Sequence, residues 1–454
     1  MGRMGRTTPV SPRSGQNSGK RCVVKLGGVR ALNKFGLIFV AITAAMVSSR
    51  GEDLTLLQAI ELAKRNNGVL ASASAAVASA RSGVREANAA FLPFVTPSYE
   101  FSDIESKSSI NSSIFRSTDH TAGIDATWTV LDAGQRQYAY GQAKKQYEAT
   151  RYSSLWTMRQ VLFSVTQQFY AALRAQELMR TAEAQVVRTK EVLEVVKKRV
   201  ELGDAAKKDI LQAEADVANA EVDLLTAGND VDTAEAGLKA IIGWREDQAL
   251  PDLGPSELAG APTFETLDEA LKVGISKRPD VTSALRDLES TRYNVLLAER
   301  DASLDWSLRV NYGRTVEPRD TFNRTLTFVV SYPLFDGGLS RERVKQAQLG
   351  YKSNKALYDQ QLRDAKSEIE AAFLVWKQNR LRLDASTKAL KAAQVNFDAV
   401  SESHRLGAAS IQEVTTARLT LITAETNQIQ AVYDQYISDL RFRLVTGDPL
   451  PGEN

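Results

Sequence analysis

Two periods divide this chain. Trp306, Leu308, Val310 and Tyr312 alternate with Ser307, Arg309, Asn311 and Gly313, and Leu326, Phe328, Val330 and Tyr332 alternate with Thr325, Thr327, Val329 and Ser331. An earlier stretch repeats the pattern: Ala122, Ile124, Ala126, Trp128 and Val130 alternate with Thr121, Gly123, Asp125, Thr127 and Thr129. Val95, Pro97, Tyr99 and Phe101 alternate more weakly with Thr96, Ser98 and Glu100. Period two predicts four strands in two hairpins, about 94–130 and 306–332. Polar loops are expected at Ser102 to His120 and Arg314 to Asn323.

From Asp132 to about Leu202, and from Asp336 to about Leu406, the sequence is charged, almost free of Gly and Pro, and helical in period. Met179, Val186, Leu193 and Val200 recur every seven residues. A helix of that length reaches roughly 100 Å at about 1.5 Å per residue, and needs partner helices along a heptad seam. Gly203 and Gly407 are placed to stop these helices, and return helices follow to Gly243 and Gly447. A short amphipathic helix (Leu56 to Asn66; Leu267 to Lys277) and a longer one precede each pair of strands.

The two sets of elements are one unit written twice. Leu131-Asp132-Ala133-Gly134 falls on Phe335-Asp336-Gly337-Gly338 and Leu202-Gly203 on Leu406-Gly407, an offset of 204; upstream, Thr55-Leu56 falls on Thr266-Leu267, an offset of 211. Units of this size exceed solenoid repeats, so a duplicated fold is expected. The limits are 50–260 for the first copy, with long helices at 132–243, and 261–447 for the second, with long helices at 336–446. A tail occupies 448–454.

An ordinary half-buried sheet would also alternate. Aromatic residues at the strand ends (Trp128, Trp306, Tyr312, Tyr332) instead suit a membrane barrel, with Trp128, Trp306, Leu308, Val310, Tyr312, Leu326, Phe328, Val330 and Tyr332 facing lipid. Four strands cannot close around a lumen, and open edges are not tolerated in lipid. Copies of the chain must therefore share one barrel, and three would give twelve strands.

Charge changes the picture only at the N-terminus. Residues 1 to 34 hold eight Lys/Arg and no acid, followed by an apolar run from Phe35 to Val47 and the small residues Ser48 and Ser49. Residues 1–49 therefore read as an export signal peptide. Its loss leaves 49 basic against 55 acidic residues, a net charge of −6 where the whole chain has +2. Nucleic acid is thereby disfavoured as a partner. The single cysteine, Cys22, lies within the signal, which excludes disulfides, thiol catalysis and cysteine metal sites from the exported chain. No later stretch is long and apolar enough for a transmembrane helix.

Tyr332-Pro333-Leu334-Phe335-Asp336-Gly337-Gly338, its degenerate partner Trp128-Thr129-Val130-Leu131-Asp132-Ala133-Gly134, and the opening Leu54-Thr55-Leu56-Leu57-Gln58-Ala59-Ile60 with its counterpart Thr266-Leu267-Asp268-Glu269-Ala270-Leu271 carry a resemblance. Over about Asp53 to Gly447 the chain resembles the TolC family of outer-membrane efflux and secretion channels. The resemblance implies a mainly α fold with a small membrane β-barrel. A homotrimer forms a twelve-stranded barrel in the outer membrane of a Gram-negative bacterium, continued by a helical tunnel through the periplasm. It implies a passive channel, not an enzyme, within a tripartite efflux pump or type I secretion system. Substrates are delivered by an inner-membrane transporter through a periplasmic adaptor that meets Leu202, Gly203, Leu406 and Gly407. The family closes its mouth partly with acids six and nine residues past the second glycine. Here Glu413 and Thr416 hold those positions and Asp209 is the first-copy counterpart, so one acid of two is kept. A ring of such carboxylates is expected to attract cations and raise its members' pKa values. The chain departs from the family at Asn67-Gly68, where Asn-Pro is usual, and at Thr129, the counterpart of Pro333.

No catalytic constellation, cofactor motif or metal site is legible. His120 and His404, the only histidines, are expected on the surface. The alternative reading is a periplasmic or surface coiled-coil scaffold without a pore. It has no need of four strands with aromatic ends. The cargo is not encoded in any of these features.

Overall fold

A computed structural model describes residues 53–107, 114–245, 247–254, 264, 266–301, 303–317 and 320–453. The expected signal peptide, residues 1–49, lies outside them. Each copy contributes the same four helices. In the first they are α1 (Leu56–Asn66), α2 (Gly68–Ala89), α3 (Gln135–Glu201) and α4 (Lys207–Ile242). In the second they are α5 (Leu267–Lys277), α6 (Pro279–Arg300), α7 (Leu339–Arg405) and α8 (Ile411–Thr446). Corresponding helices are equal in length, at 11, 22, 67 and 36 residues. The strands between them are not: β1 (Phe94–Lys107) and β2 (Ile114–Leu131) have 14 and 18 residues, β3 (Asp305–Glu317) and β4 (Thr321–Ser331) have 13 and 11. The change of offset from 211 to 204 therefore falls within the first hairpin, which is the taller one.

Local chemistry sets the boundaries. Thr55 and Gln58 close a capping box on α1, and Asn67 caps α2 through the Val69 and Leu70 amides. Where each hairpin feeds its long helix, a carboxylate turns the chain. Asp132 accepts from the Gly134 and Arg136 amides, and Asp336 from those of Gly338 and Ser340. The two residues after each aspartate are left-handed, with φ of 50° and 93° at Ala133 and Gly134 and of 66° and 89° at Gly337 and Gly338. That is the physical content of the repeated Asp-x-Gly motif. Three residues of each expected helix start, Asp132 and Asp336 included, belong to this turn.

The core lies where the short helices clamp the long ones. Ile60 of α1, Leu162, Val165 and Phe169 of α3, Leu238 and Ile242 of α4, and Leu444 of α8 are almost wholly buried together. Each such side chain contributes about 1.5–3 kcal/mol relative to an exposed one. In the second copy Ala270 of α5, Ile369 and Trp376 of α7, and Phe442 of α8 form the counterpart, with Trp376 stacked on Phe442 at 5.7 Å. Residues after α8 join the first cluster through Leu450, and Glu453 pairs with buried Arg159 at 2.8 Å. The expected tail is thus packed. Nearer the sheet, α6 lies on α3 so closely that a Cβ on Gly141 would sit 2.5 Å from the Tyr293 ring.

The four strands form one antiparallel sheet in chain order, β1-β2-β3-β4. Its strands run past their expected ends. Ser102 pairs with Asp119, Ile104 with Ser117 and Lys107 with Ile114, so most of the expected loop from Ser102 to His120 is strand. There, polar residues occupy both faces (Asp103 beside Thr118, Glu105 bonded to Arg116 at 2.9 Å), which erases the alternation that marks a strand in sequence. Likewise Arg314 and Asn323 are strand residues, whereas Tyr332 lies just beyond β4.

Sheet faces and helical tips as the candidate functional site

The register assembles one apolar face from all four strands. Val95 lies opposite Ala126, Pro97 opposite Ile124, Tyr99 opposite Ala122, and Phe101 opposite His120. Trp128 is opposite Leu308 and Ala126 opposite Val310. Trp306, Leu308 and Val310 meet Val330, Phe328 and Leu326. Pro97 is tolerated because β1 is an edge strand. Among the described residues nothing packs on this face: Phe328, Val330, Leu326, Tyr99 and Trp128 are all exposed. From Trp306 to Tyr312 the band measures roughly 20 Å at about 3.3 Å per residue, near the ~25 Å of a lipid-facing barrel band. Its helix-side end is anchored by Trp128, whose indole donates to the Phe91 carbonyl at 3.1 Å, and by Trp306, edge-on to Phe328 at 5.7 Å.

The opposite face is polar. Asn311 donates to Asp125 at 2.6 Å, Thr121 and Thr315 are hydrogen-bonded at 3.1 Å, and Arg309 lies between Thr127 and Thr327. On the apolar face, opposite Phe101, His120 is not in the expected loop but is a half-buried strand residue whose Nδ1 meets the Tyr99 hydroxyl at 2.8 Å. Among the described residues one sheet thus has an apolar face and a polar face, with open edges at β1 and β4.

At the far end of the helices the two turns are near copies. Leu202 and Leu406 end α3 and α7, and Gly203 and Gly407 follow with φ of 84° and 82°. The Gly203 amide bonds to Val200 O and the Asp204 amide to Arg199 O; Gly407 and Ala408 make the equivalent bonds to His404 and Ser403. Leu202 and Leu406 are 78% and 69% exposed, apolar side chains held in water by rigid turns. A Cβ at Gly203 would meet nothing, so glycine is required there by backbone angle alone.

Asp209 and Glu413 are both third residues of their helices and are engaged locally. Glu413 accepts from the Ser410 amide at 2.7 Å and from its hydroxyl, and Asp209 accepts from the Ala206 amide at 3.3 Å. The two Ser410 bonds hold the Glu413 carboxyl below its usual range within the chain. Replacing Glu413 also removes a helix cap. The Thr416 hydroxyl donates to Gln412 O, and its side chain lines an unfilled groove of about 1020 Å³ between α7 and α8, with Ala389, Ala393 and Thr423.

What sequence reading missed lies between the tips. His404, expected on the surface, is 5% exposed. It borders a polar cavity of about 530 Å³ shared with Arg199, Lys208, Asp209 and Gln412, and its carbonyl accepts from Arg199 at 3.1 Å. Deeper along the helices Arg188 grips Glu425 with two bonds of 3.0 and 2.8 Å, tying α3 to α8. Arg418 of α8 meets Asp216 of α4 at 2.9 Å, and Thr415 and Gln212 also donate to Asp216.

Burial, and then the Arg199 charge, push the His404 imidazole below 6.5, with Asp209 opposing them. The unfolded chain therefore takes up this proton before the folded one. The stability linked to neutral His404 is complete above that value and is lost as pH falls below it. Melting temperatures between about pH 7.5 and 5 should fall less steeply for His404→Gln than for the wild type. Equal slopes would remove His404 as the cause.

The sequence profile described as outer membrane efflux protein matches residues 59–244 and 270–448. Outer membrane efflux protein BepC of Brucella suis is 23% identical over 405 residues, covering 87% of this chain and 85% of that protein. Outer membrane protein TolC of Vibrio cholerae is 24% identical over 434 residues, covering 90% and 94%. Among solved structures, the outer-membrane channel OprN superposes with a TM-score of 0.76 at 20% identity, covering 87% of this chain and 90% of that one.

Proposed function

The chain belongs to the outer membrane efflux protein family, and from that premise we propose that three copies close into one outer-membrane channel with a periplasmic tunnel. The protein is the outer-membrane component of an efflux or secretion system. As a passive conduit it needs no catalytic group, cofactor or metal.

The observation that carries the threefold reading is that the sheet and the helices beside it have two unsatisfied flanks among the described residues. Among the described residues β1 and β4 leave their outer edges unpaired. On the β1 flank α2 buries no residue, while its counterpart α6 packs against both α3 and α7. On the other flank α7 buries 6 residues where α3 buries 14. A second copy brings the missing neighbours to both flanks. Two chains would give eight strands, whose interior side chains fill, whereas twelve leave a lumen.

Residues 1–49 are the proposed export leader, and 50–260 and 261–447 the two repeats. The exposed Leu202-Gly203 and Leu406-Gly407 turns are the proposed seat of the periplasmic adaptor, through which an inner-membrane transporter delivers cargo. Asp209, Glu413 and Thr416 border the mouth.

In detergent the protein should run as an assembly of about 135 kDa of protein, three copies of the 49.8 kDa chain each less the roughly 5 kDa leader, and should conduct in a planar bilayer. Gly407→Val strains a left-handed turn by about 1 kcal/mol or more. It should leave assembly and conductance intact while abolishing export. A stable monomer with intact strands would refute the shared barrel, and normal export by Gly407→Val would reduce that tip to a helix stop.

A further inference from the structure

Arg324 is out of place on its strand. It heads the row of Leu326, Phe328 and Val330 on the apolar face of β4, directly opposite Tyr312, and has no hydrogen bond or ion pair among the described residues. Arg314 lies diagonally across on β3, paired with Phe322 in the register. Diagonal neighbours on one face are about 7–8 Å apart, within the joint reach of two guanidinium groups on a single anion. Arg314 bonds Asp320 at 2.9 and 2.6 Å, but both side chains are 58% exposed, and such pairs exchange partners readily. Neither arginine can face hydrocarbon without penalty, so both belong to the polar layer just beyond Tyr312. That layer is at the hairpin-turn end of the sheet, away from the helices, which in an outer-membrane channel is the outer leaflet.

We propose that Arg314 and Arg324 form a headgroup site on the lipid-facing rim of the barrel that binds the phosphate of an outer-leaflet glycolipid. The planar guanidinium forks match phosphate oxygens bidentately. Tyr312 and Phe322 flank the site with rings at the level of the headgroup sugars. The proposal rests on the outer-membrane channel reading. It adds a lipid ligand that the transport activity itself does not require.

The test uses the assembled full chain in nanodiscs containing either a phosphorylated glycolipid or the same lipid after enzymatic dephosphorylation, with bound lipid counted by native mass spectrometry. Wild type should retain the phosphorylated lipid at least about tenfold better than Arg314→Gln/Arg324→Gln. The dephosphorylated lipid should be retained equally poorly by both, and millimolar inorganic phosphate should not displace the glycolipid. Equal retention by the two proteins, indifference to the phosphate, or displacement by free phosphate would overturn the site. So would loss of the trimer on Arg324→Gln in lipid-free detergent, which would make Arg324 a contact between copies. Planar-bilayer conductance is recorded on the same samples. Unchanged retention in a conducting double variant therefore rejects the headgroup site and leaves the channel standing.

Discussion

Arginine in place of Phe328 is expected to lower barrel stability by about 2–4 kcal/mol per chain, the usual penalty for that charge at the bilayer midplane. Phe328 lies mid-band, opposite Leu308, with its ring edge-on to Trp306 at 5.7 Å, so the substitution also removes an aromatic contact. The control must lie on the polar face. Thr327 is a poor choice because its cross-strand partner is Arg309, and like charges in opposite positions repel. Asn311 is committed to Asp125. Thr325 is opposite Asn311 and serves better. Thr325→Arg should fold as the wild type does and shift the reversal potential of the open channel toward anions. The two are compared by urea unfolding from liposomes and by planar-bilayer recording. Equal stability loss at Phe328 and Thr325 would mean that neither face meets lipid.

Asp216→Ala should cost about 3–5 kcal/mol per chain, because it leaves the buried Arg418 guanidinium without its direct ion-pair partner and with only the field of Asp223 to offset its charge. Arg418 is 6% exposed, and burial already presses its pKa downward. Asp216 answers it at 2.9 Å while also accepting from Gln212 and Thr415. The pair joins α4 to α8 a few turns from the tips, so its loss should also loosen the mouth and raise single-channel conductance. Removing both charges together, as Asp216→Leu/Arg418→Met, should recover most of the stability. A double variant no more stable than Asp216→Ala would show that the ion pair is not what holds these helices.

The features with a regular period were legible in the sequence. Trp306 to Tyr312 and Leu326 to Val330 carry one face each, and the register merely joins those faces. Gly203 and Gly407 mark both tips because only a left-handed residue ends the helix there. Aperiodic features escaped. The upper parts of β1 and β2 are polar on both faces, so no alternation remained to identify them. His404 gave no sign of burial, since what covers it comes from the other hairpin, 200 residues earlier in the chain. In the sequence the carboxylates of Asp209 and Glu413 show only their charge, yet each satisfies the backbone amide three residues before it. The Arg418–Asp216 pair has no sequence signature, because it joins residues from different repeats.

Unequal hairpins between equal helices have a consequence for symmetry. In the proposed threefold assembly the outer rim carries three tall and three short hairpins, and any molecule approaching from outside meets three equivalent positions. The periplasmic end carries six glycine turns, each closing a 67-residue helix onto a 36-residue one with the same backbone angles. A partner that reads only the turn backbone and its leucine finds six near-equivalent seats. A partner that reads side chains beyond the turn, such as Lys208 against Gln412, finds three of each kind. In that proposed assembly the duplication gives one duct two symmetries, a threefold face outward and a nearly sixfold face inward.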